Sequence, residues 1–187
     1  FGQDIFDLLL EHYIKNADIV YHLAALTSVS DSFKYPENYY YVNVLGTARV
    51  AQLCYRYKKK LIYPSSAAVL HPELSPYSGS KKLAEDIVLQ FRNKIPVTVL
   101  RLFNVYGIGM NEKTGSVMHR FLHDDPIVIH GSGEQTRDYI NSEDVIDILI
   151  DAQKEYWNGE LVEVGTGQAY SANFVAGLFF PDSYQCF

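Results

Sequence analysis

The chain has 187 residues, 48% of them hydrophobic and 20% charged, with 16 Lys and Arg against 22 Asp and Glu for a net charge of −6. A chain of this length can bury about 70% of its unfolded surface around one core, and the composition excludes intrinsic disorder and fibrous architecture. The acidic balance argues against a nucleic-acid partner, and no apolar stretch approaches the roughly 18 to 20 residues of a membrane span.

The first residues lack a charged leader followed by an apolar run, which points to a cytoplasmic protein with no membrane partner. Cys54 and Cys186 form no CxxC pair and suit a reducing compartment without structural metal. The chain opens on Phe1 and closes on Gln185-Cys186-Phe187, so one or both ends are expected to be missing.

In chain order, Asp4 to Lys15 places apolar residues at Ile5, Leu8, Leu9 and Ile14, the spacing of an amphipathic helix. Asp18-Ile-Val-Tyr-His-Leu-Ala25 is a nearly continuous apolar run, as in a parallel strand buried on both faces. The pattern then predicts a helix from Pro36 to Tyr57, with Lys58-Lys59-Lys60 as a solvated loop before a strand over Lys60 to Ser65. A helix from Pro76 to Lys94 and a strand over Val97 to Phe103 follow. After Tyr106 the glycines Gly107, Gly109, Gly115, Gly131 and Gly133 punctuate the chain. Only Val117 to His123 and Pro126 to His130 read as compact elements there. Regular structure resumes with a helix from Ser142 to Tyr156, a strand over Glu160 to Val164 and a helix start at Ser171.

Strands alternating with helices indicate βαβ units, and therefore an α/β fold with a doubly wound parallel sheet. In such sheets ligands bind beyond the carboxyl ends of the strands. Those positions are Ala24, Ala25, Ser65, Ser66, Phe103 and Asn104.

The sharpest local pattern is Ser75-Pro76-Tyr77-Ser78-Gly79-Ser80-Lys81. Ser75 can cap a helix whose first position suits Pro76, which puts Tyr77 and Lys81 at i and i+4 on one face. A free phenol, with a pKa of about 10, is a poor base at neutral pH, but a nearby ammonium favours the phenolate. The Ser66 hydroxyl, at the end of the preceding strand, could share a substrate proton with it. On a plain surface helix, Lys81 and Lys82 would instead meet Glu85 and Asp86 as i,i+4 pairs.

Seven ordered segments carry a resemblance: Asp18–Ala25, Tyr41–Thr47, Pro64–Val69, Tyr77–Lys81, Arg101–Gly107, Gly131–Tyr139 and Val164–Gly167. Together they resemble the extended short-chain dehydrogenase/reductase family, in particular its NAD-dependent nucleotide-sugar epimerases and dehydratases of the UDP-glucose 4-epimerase type. The resemblance implies a Rossmann-like doubly wound sheet lacking its first βαβ unit, with part of a smaller C-terminal substrate lobe. Residues 1–105 would be the partial NAD-binding domain and 106–187 the partial lobe, with 140–165 packing back on the Rossmann sheet.

It also implies roles. Ser66, Tyr77 and Lys81 would be the catalytic residues, with Tyr77 as base and Lys81 also holding the nicotinamide ribose of NAD. Ala24, Ala25, Ser65 and Phe103 would lie along the cofactor, and Asn43 would support the site from its helix. Ser66, Asn104 and Arg137 would meet a nucleotide-diphosphate sugar, a guanidinium fork suiting the diphosphate. In the implied reaction Tyr77 takes a sugar hydroxyl proton while hydride leaves the same carbon for NAD, the keto intermediate turns, and hydride returns to its other face. Pairing of two copies through the helices after Pro36 and Pro76 would make a homodimer.

The sequence departs from the family pattern in several places. The glycine-rich turn after a first strand is absent, together with the acidic residue that separates NAD from NADP. Gly165-Thr-Gly-Gln-Ala-Tyr170 imitates that turn at the wrong end of the fold. Ten residues lie between Ser66 and Tyr77, fewer than usual, and Leu70-His71 stands where Tyr-Gly is common. Pro64 removes a backbone donor near the end of an inner strand. Ala67 and Ala68 stand where the family's dehydratases carry Asp and Glu, which favours an epimerase over a dehydratase. A non-catalytic paralogue that binds a partner is the alternative. His119 and His123 read as ordinary histidines because Arg120 stands where a metal-binding His-Glu-x-x-His would need Glu, and Tyr39, Tyr40 and Tyr41 read as packing residues.

Overall fold

The computed structural model describes residues 4–110, 117–123, 127–129, 131–179 and 184–186. Gly115, Pro126, His130 and the side chains of His123 and Cys186 lie outside the described residues. The elements begin with α1 (Leu10–Asn16), β1 (Ile19–Tyr21), α2 (Val29–Lys34), α3 (Pro36–Tyr39), a π-helical segment (Tyr40–Gly46) and α4 (Thr47–Tyr57). Next come β2 (Lys60–Ser66), two short 3-10 turns (Ala67–Leu70 and Pro72–Leu74), α5 (Pro76–Leu89), β3 (Val97–Leu102) and β4 (Asn104–Tyr106). The chain continues through α6 (Val117–His123), β5 (Ile127–Ile129), β6 (Thr136–Asn141), α7 (Ser142–Asp151), β7 (Leu161–Val164), β8 (Ala169–Ser171), α8 (Ala172–Phe179) and β9 (Tyr184–Cys186).

Two compact units result, one of residues 1–102 and 147–163, the other of 103–146 and 164–187. The first holds a sheet in the order β1-β2-β3-β7, with β1, β2 and β3 parallel. Its inner strands are buried on both faces, which is why they read as apolar runs. Leu61 and Val99 are fully enclosed on the side shared with Val50, Cys54, Ala84 and Val88, while Ile62 and Leu100 are fully enclosed on the other.

Several elements are shorter than their patterns predict, each for a local reason. Residues 4–9 form turns instead of the first part of a helix, because the Asp4 and Asp7 carboxylates accept the main-chain N–H of Phe6 at 2.9 Å and of Leu9 at 2.8 Å. Such side-chain bonds compete with helix formation. The expected helix over Pro36–Tyr57 is interrupted by the π-helical segment. α7 stops at Asp151, whose carboxylate is taken by Lys154, Tyr156 and Trp157. β1 leaves the sheet after Tyr21, where His22 N–H still reaches the Ile62 carbonyl at 3.0 Å. That early exit accommodates Pro64. Leu61 N–H bonds toward β3, so alternation turns the Pro64 nitrogen to the opposite edge, where the β1 ladder has already ended. Of the Lys58–Lys60 run, Lys58 closes α4 in a left-handed conformation and Lys60 donates to the Gln153 and Lys154 carbonyls.

The second unit holds β4 parallel to β6, β8 antiparallel to β6, and the parallel pair β5–β9. Met118, Phe121, Ile129, Val175 and Ala176 make its core. Asp138 on β6 fastens the loop after β7: it accepts Thr166 N–H at 3.0 Å, the Thr166 hydroxyl at 2.8 Å and Gly167 N–H at 2.8 Å. A Cβ on Gly165 would come within 2.6 Å of that carboxylate and 3.2 Å of the Phe103 ring. Since Asp138 is held by these donors and cannot swing aside freely, Gly165→Ala should destabilise this unit by about 1–3 kcal/mol, the usual cost of overpacking. Urea unfolding followed by the Trp157-independent far-UV signal measures it, and an unchanged midpoint would show that the loop yields.

Candidate active site

In the first unit the end of β2 and the first turns of α5 bring together residues widely separated in function class. Ser75 caps α5 by accepting Ser78 N–H at 3.0 Å, and Pro76 takes the first helical position, as its fixed φ favours. Tyr77 and Lys81 then project from successive turns of one face. Ser66 ends β2 and its hydroxyl accepts Ala68 N–H at 3.2 Å, opening the 3-10 turn.

Lys81 is buried. Its Nζ donates to the Pro64 carbonyl at 2.8 Å and sits 4.4 Å from the centre of the Tyr63 ring. Burial pushes its pKa down to about 8, while the Glu85 carboxylate acts the other way. The half-buried Tyr77 phenol is raised by burial, lowered by the Ser66 hydroxyl, and raised again by Tyr39, whose ring meets it edge-on at 6.4 Å. The balance leaves the Tyr77 phenol above its ordinary value, burial outweighing the Ser66 hydroxyl, while the Lys81 ammonium is turned to the Pro64 carbonyl.

Asn43 is buried in the π-helical segment and ties three pieces of chain together. Its Oδ1 accepts Leu26 N–H at 2.8 Å, and its Nδ2 donates to the Leu26 carbonyl at 3.0 Å and to the Ser80 hydroxyl at 3.0 Å. Ser80 in turn donates to the Tyr77 carbonyl at 2.8 Å. The loop carrying Ala24 and Ala25 is thus linked to the turn of α5 that carries Tyr77. Ala24 is exposed and Ala25 half-buried. The Ser65 hydroxyl points away from the strand end and donates to Glu85 at 2.7 Å.

Phe103, Asn104 and Arg137 stand in the second unit. Phe103 is half-buried, with its N–H on the Val164 carbonyl at 3.0 Å. The exposed Asn104 donates to the Asp138 carbonyl at 2.9 Å, and the exposed Arg137 donates to the Thr136 carbonyl at 2.8 Å. Among the described residues no group of three or more His, Cys, Asp or Glu side chains is placed to hold a metal ion, and no helix is long and apolar enough to cross a membrane.

Sequence reasoning missed Ser80, His22 and the Glu85–Arg101 pair. Arg101 was the visible signal, a charge inside an otherwise apolar strand. His22 is buried, with Nε2 2.9 Å from the Thr47 hydroxyl and its ring against Tyr63.

The donor set fits one end of a dinucleotide. A buried ammonium with N–H groups beyond the one on Pro64, one helical turn from a phenol, is what a ribose diol needs. The glycine-rich turn for the phosphates is not in this chain.

A family model described as NAD dependent epimerase/dehydratase matches residues 4–165. The human dTDP-D-glucose 4,6-dehydratase is 31% identical over 186 residues, covering 86% of this chain and 53% of its own. A putative UDP-glucose 4-epimerase of Methanocaldococcus jannaschii is 30% identical over 194 residues, covering 91% and 63%. The chain thus spans little more than half the length of these relatives. Among solved structures, Pal from Bacillus thuringiensis superposes with a TM-score of 0.91 at 32% identity, over 99% of this chain and 68% of that one. MoeE5 in complex with UDP-glucose and NAD superposes with a TM-score of 0.88 at 28% identity, over 100% and 71%.

Burial, and secondarily the positive charge of Lys81, push the His22 pKa down to about 4. Between its unfolded value of about 6.5 and about 4, the unfolded chain binds the proton and the folded one does not, so stability rises with pH across this window and is lost on acidification. At about 1.4 kcal/mol per pH unit, His22 should contribute a loss on the order of 3 kcal/mol between pH 7 and pH 4. Urea unfolding of the wild type and His22→Gln at both pH values tests this; equal acid sensitivity of the two proteins would mean that the imidazole is not shielded.

Proposed function

From the premise that this chain belongs to the NAD-dependent epimerase/dehydratase family, we propose that it carries the catalytic residues of a nucleotide-sugar epimerase. The observation that carries this reading is the placement of Ser66, Tyr77 and Lys81 at the end of β2 and the start of α5, with Lys81 buried and aimed at the Pro64 carbonyl. Tyr77 acts as the base for a sugar hydroxyl, and the Ser66 hydroxyl, which offsets part of the rise that burial imposes on the phenol, shares that proton. Lys81 holds the nicotinamide ribose through its remaining N–H groups. Ala24, Ala25, Phe103 and the main chain of Ser65 line the cofactor, and Asn43 holds the Ala24–Leu26 loop in place. NAD supplies the acceptor and donor of hydride that lets the stereocentre pass through a ketone.

Asn104 and Arg137 receive the diphosphate of the substrate, Arg137 through its guanidinium fork. Epimerisation is favoured over water elimination by Ala67 and Ala68. The turn that follows Ser66 offers no carboxylate to take a proton from the carbon beside the ketone or to protonate the hydroxyl that would leave as water. Exposed Tyr40, Tyr41, Leu45 and Leu83 on the π-helical segment and α5 support pairing of two copies through these helices.

In the complete protein, Tyr77→Phe should cut turnover of a UDP-hexose by about 100-fold to 10,000-fold, the range expected for a lost general base, while NAD remains bound. Turnover at the wild-type rate would remove Tyr77 from the reaction and with it this reading.

A further inference from the structure

The buried face of α5 distributes its charges unevenly. Glu85 is fully enclosed. Its Oε1 accepts from Arg101 Nη2 at 2.7 Å, and its Oε2 accepts from Arg101 Nε at 3.1 Å and from the Ser65 hydroxyl at 2.7 Å. Lys81 lies one turn earlier, at the i to i+4 spacing where lysine and glutamate ordinarily pair, yet its ammonium donates to the Pro64 carbonyl. The adjacent residues supply an internal comparison. Lys82 and Asp86, at the same spacing on the more exposed side of the same helix, do form the ion pair.

We propose that Arg101, assisted by Ser65, is a positioning residue for Lys81: by occupying both oxygens of Glu85 it withholds the i+4 partner and leaves the ammonium directed to the end of β2. This rests on the reading of Lys81 as part of the catalytic site and deepens it. The physical ground is competition for a buried carboxylate. A guanidinium fork matches both oxygens at once, which a compact ammonium cannot do. A buried carboxylate stripped of its partner must find another cation or become protonated. With Arg101 gone, Lys81, which already feels the Glu85 charge from one turn away, is a cation at hand, and turning to Glu85 would take it from the Pro64 carbonyl.

The other groups facing Lys81 do not offer it an anion. They are the Tyr63 ring from β2 and the His22 imidazole from the segment after β1. Glu163, on β7, approaches Arg101 at 3.6 Å and is half-exposed.

The test is the titration of Lys81, followed by NMR of 13C-labelled lysine in the complete protein and assigned with Lys81→Arg. Arg101→Met should raise its midpoint by about one pH unit, the size of a tenfold change in proton affinity, and lower kcat with a smaller change in KM for the sugar nucleotide. Adding Glu85→Gln to Arg101→Met should return the midpoint to the wild-type value and recover kcat, a reversal that a merely structural role for the pair would not produce. A midpoint unmoved in Arg101→Met, or raised and not restored by the second substitution, overturns the proposal. Should Arg101→Met not fold, Arg101→Lys decides, because a compact ammonium cannot hold both Glu85 oxygens: a Lys81 midpoint above wild type supports the competition and an unmoved one overturns it. The titration is read without turnover. If Lys81 moves as described while Tyr77→Phe remains active, the positioning stands and the epimerase reading falls.

Discussion

A helix that buries Ser80, Lys81 and Glu85 against a sheet has to answer each of them inside the fold, because an unpaired buried polar group costs about 1–3 kcal/mol and an unpaired charge more. Much of the first unit follows from that requirement. Ser80 is met by Asn43, which needs the π-helical segment to reach it. Lys81 is met by the Pro64 carbonyl, on a strand edge that is open because β1 has already turned away. Glu85 is met by Ser65 and Arg101 from neighbouring strands. The partners lie on different elements, so satisfying the helix also fixes its height and rotation over β2. The site residues inherit that placement.

The alternation of strands and helices was legible because the inner strands are buried on both faces and so form unbroken apolar runs, as Val97–Leu102 does. The start of α5 was legible from Ser75 and Pro76, whose capping chemistry is local. What escaped depends on residues far apart in sequence or on details finer than the helical period. One extra residue per turn over Tyr40–Gly46 leaves the apolar spacing of Pro36–Tyr57 looking like a single helix. Glu85 could be matched from sequence only to neighbours on its own helix, whereas its partner is on another strand. Seven ordered segments, Pro64–Val69 and Tyr77–Lys81 among them, carried the resemblance to the family. The resting state of Tyr77 could not be read in the same way, since it turns on how far the phenol is buried and which hydroxyl stands beside it.

Similarity to both a dehydratase and an epimerase suits one scaffold serving several reactions, the outcome chosen by what surrounds a shared site. In the first unit, on the reading proposed above, the turn after Ser66 is such a choice point, here carrying two alanines. In the second, Asp138 holds the loop of Gly165–Gly167 while its own carbonyl engages Asn104. The side chain next to it, Arg137, stays exposed.

The π-helical segment also acts on the phase of everything that follows it. Each residue of an α-helix advances the side-chain direction by about 100°, so one residue added without added turn rotates the downstream face by that amount relative to the upstream one. Tyr39 and Asn43 can therefore face the site while Val50, Ala51 and Cys54 face the core, although one regular helix would struggle to serve both directions. The length of this stretch is thus a kind of gear setting. Straightening it to a regular α-helix with every residue kept would turn either the asparagine out of the site or the apolar stripe of α4 out of the core, by about 100°.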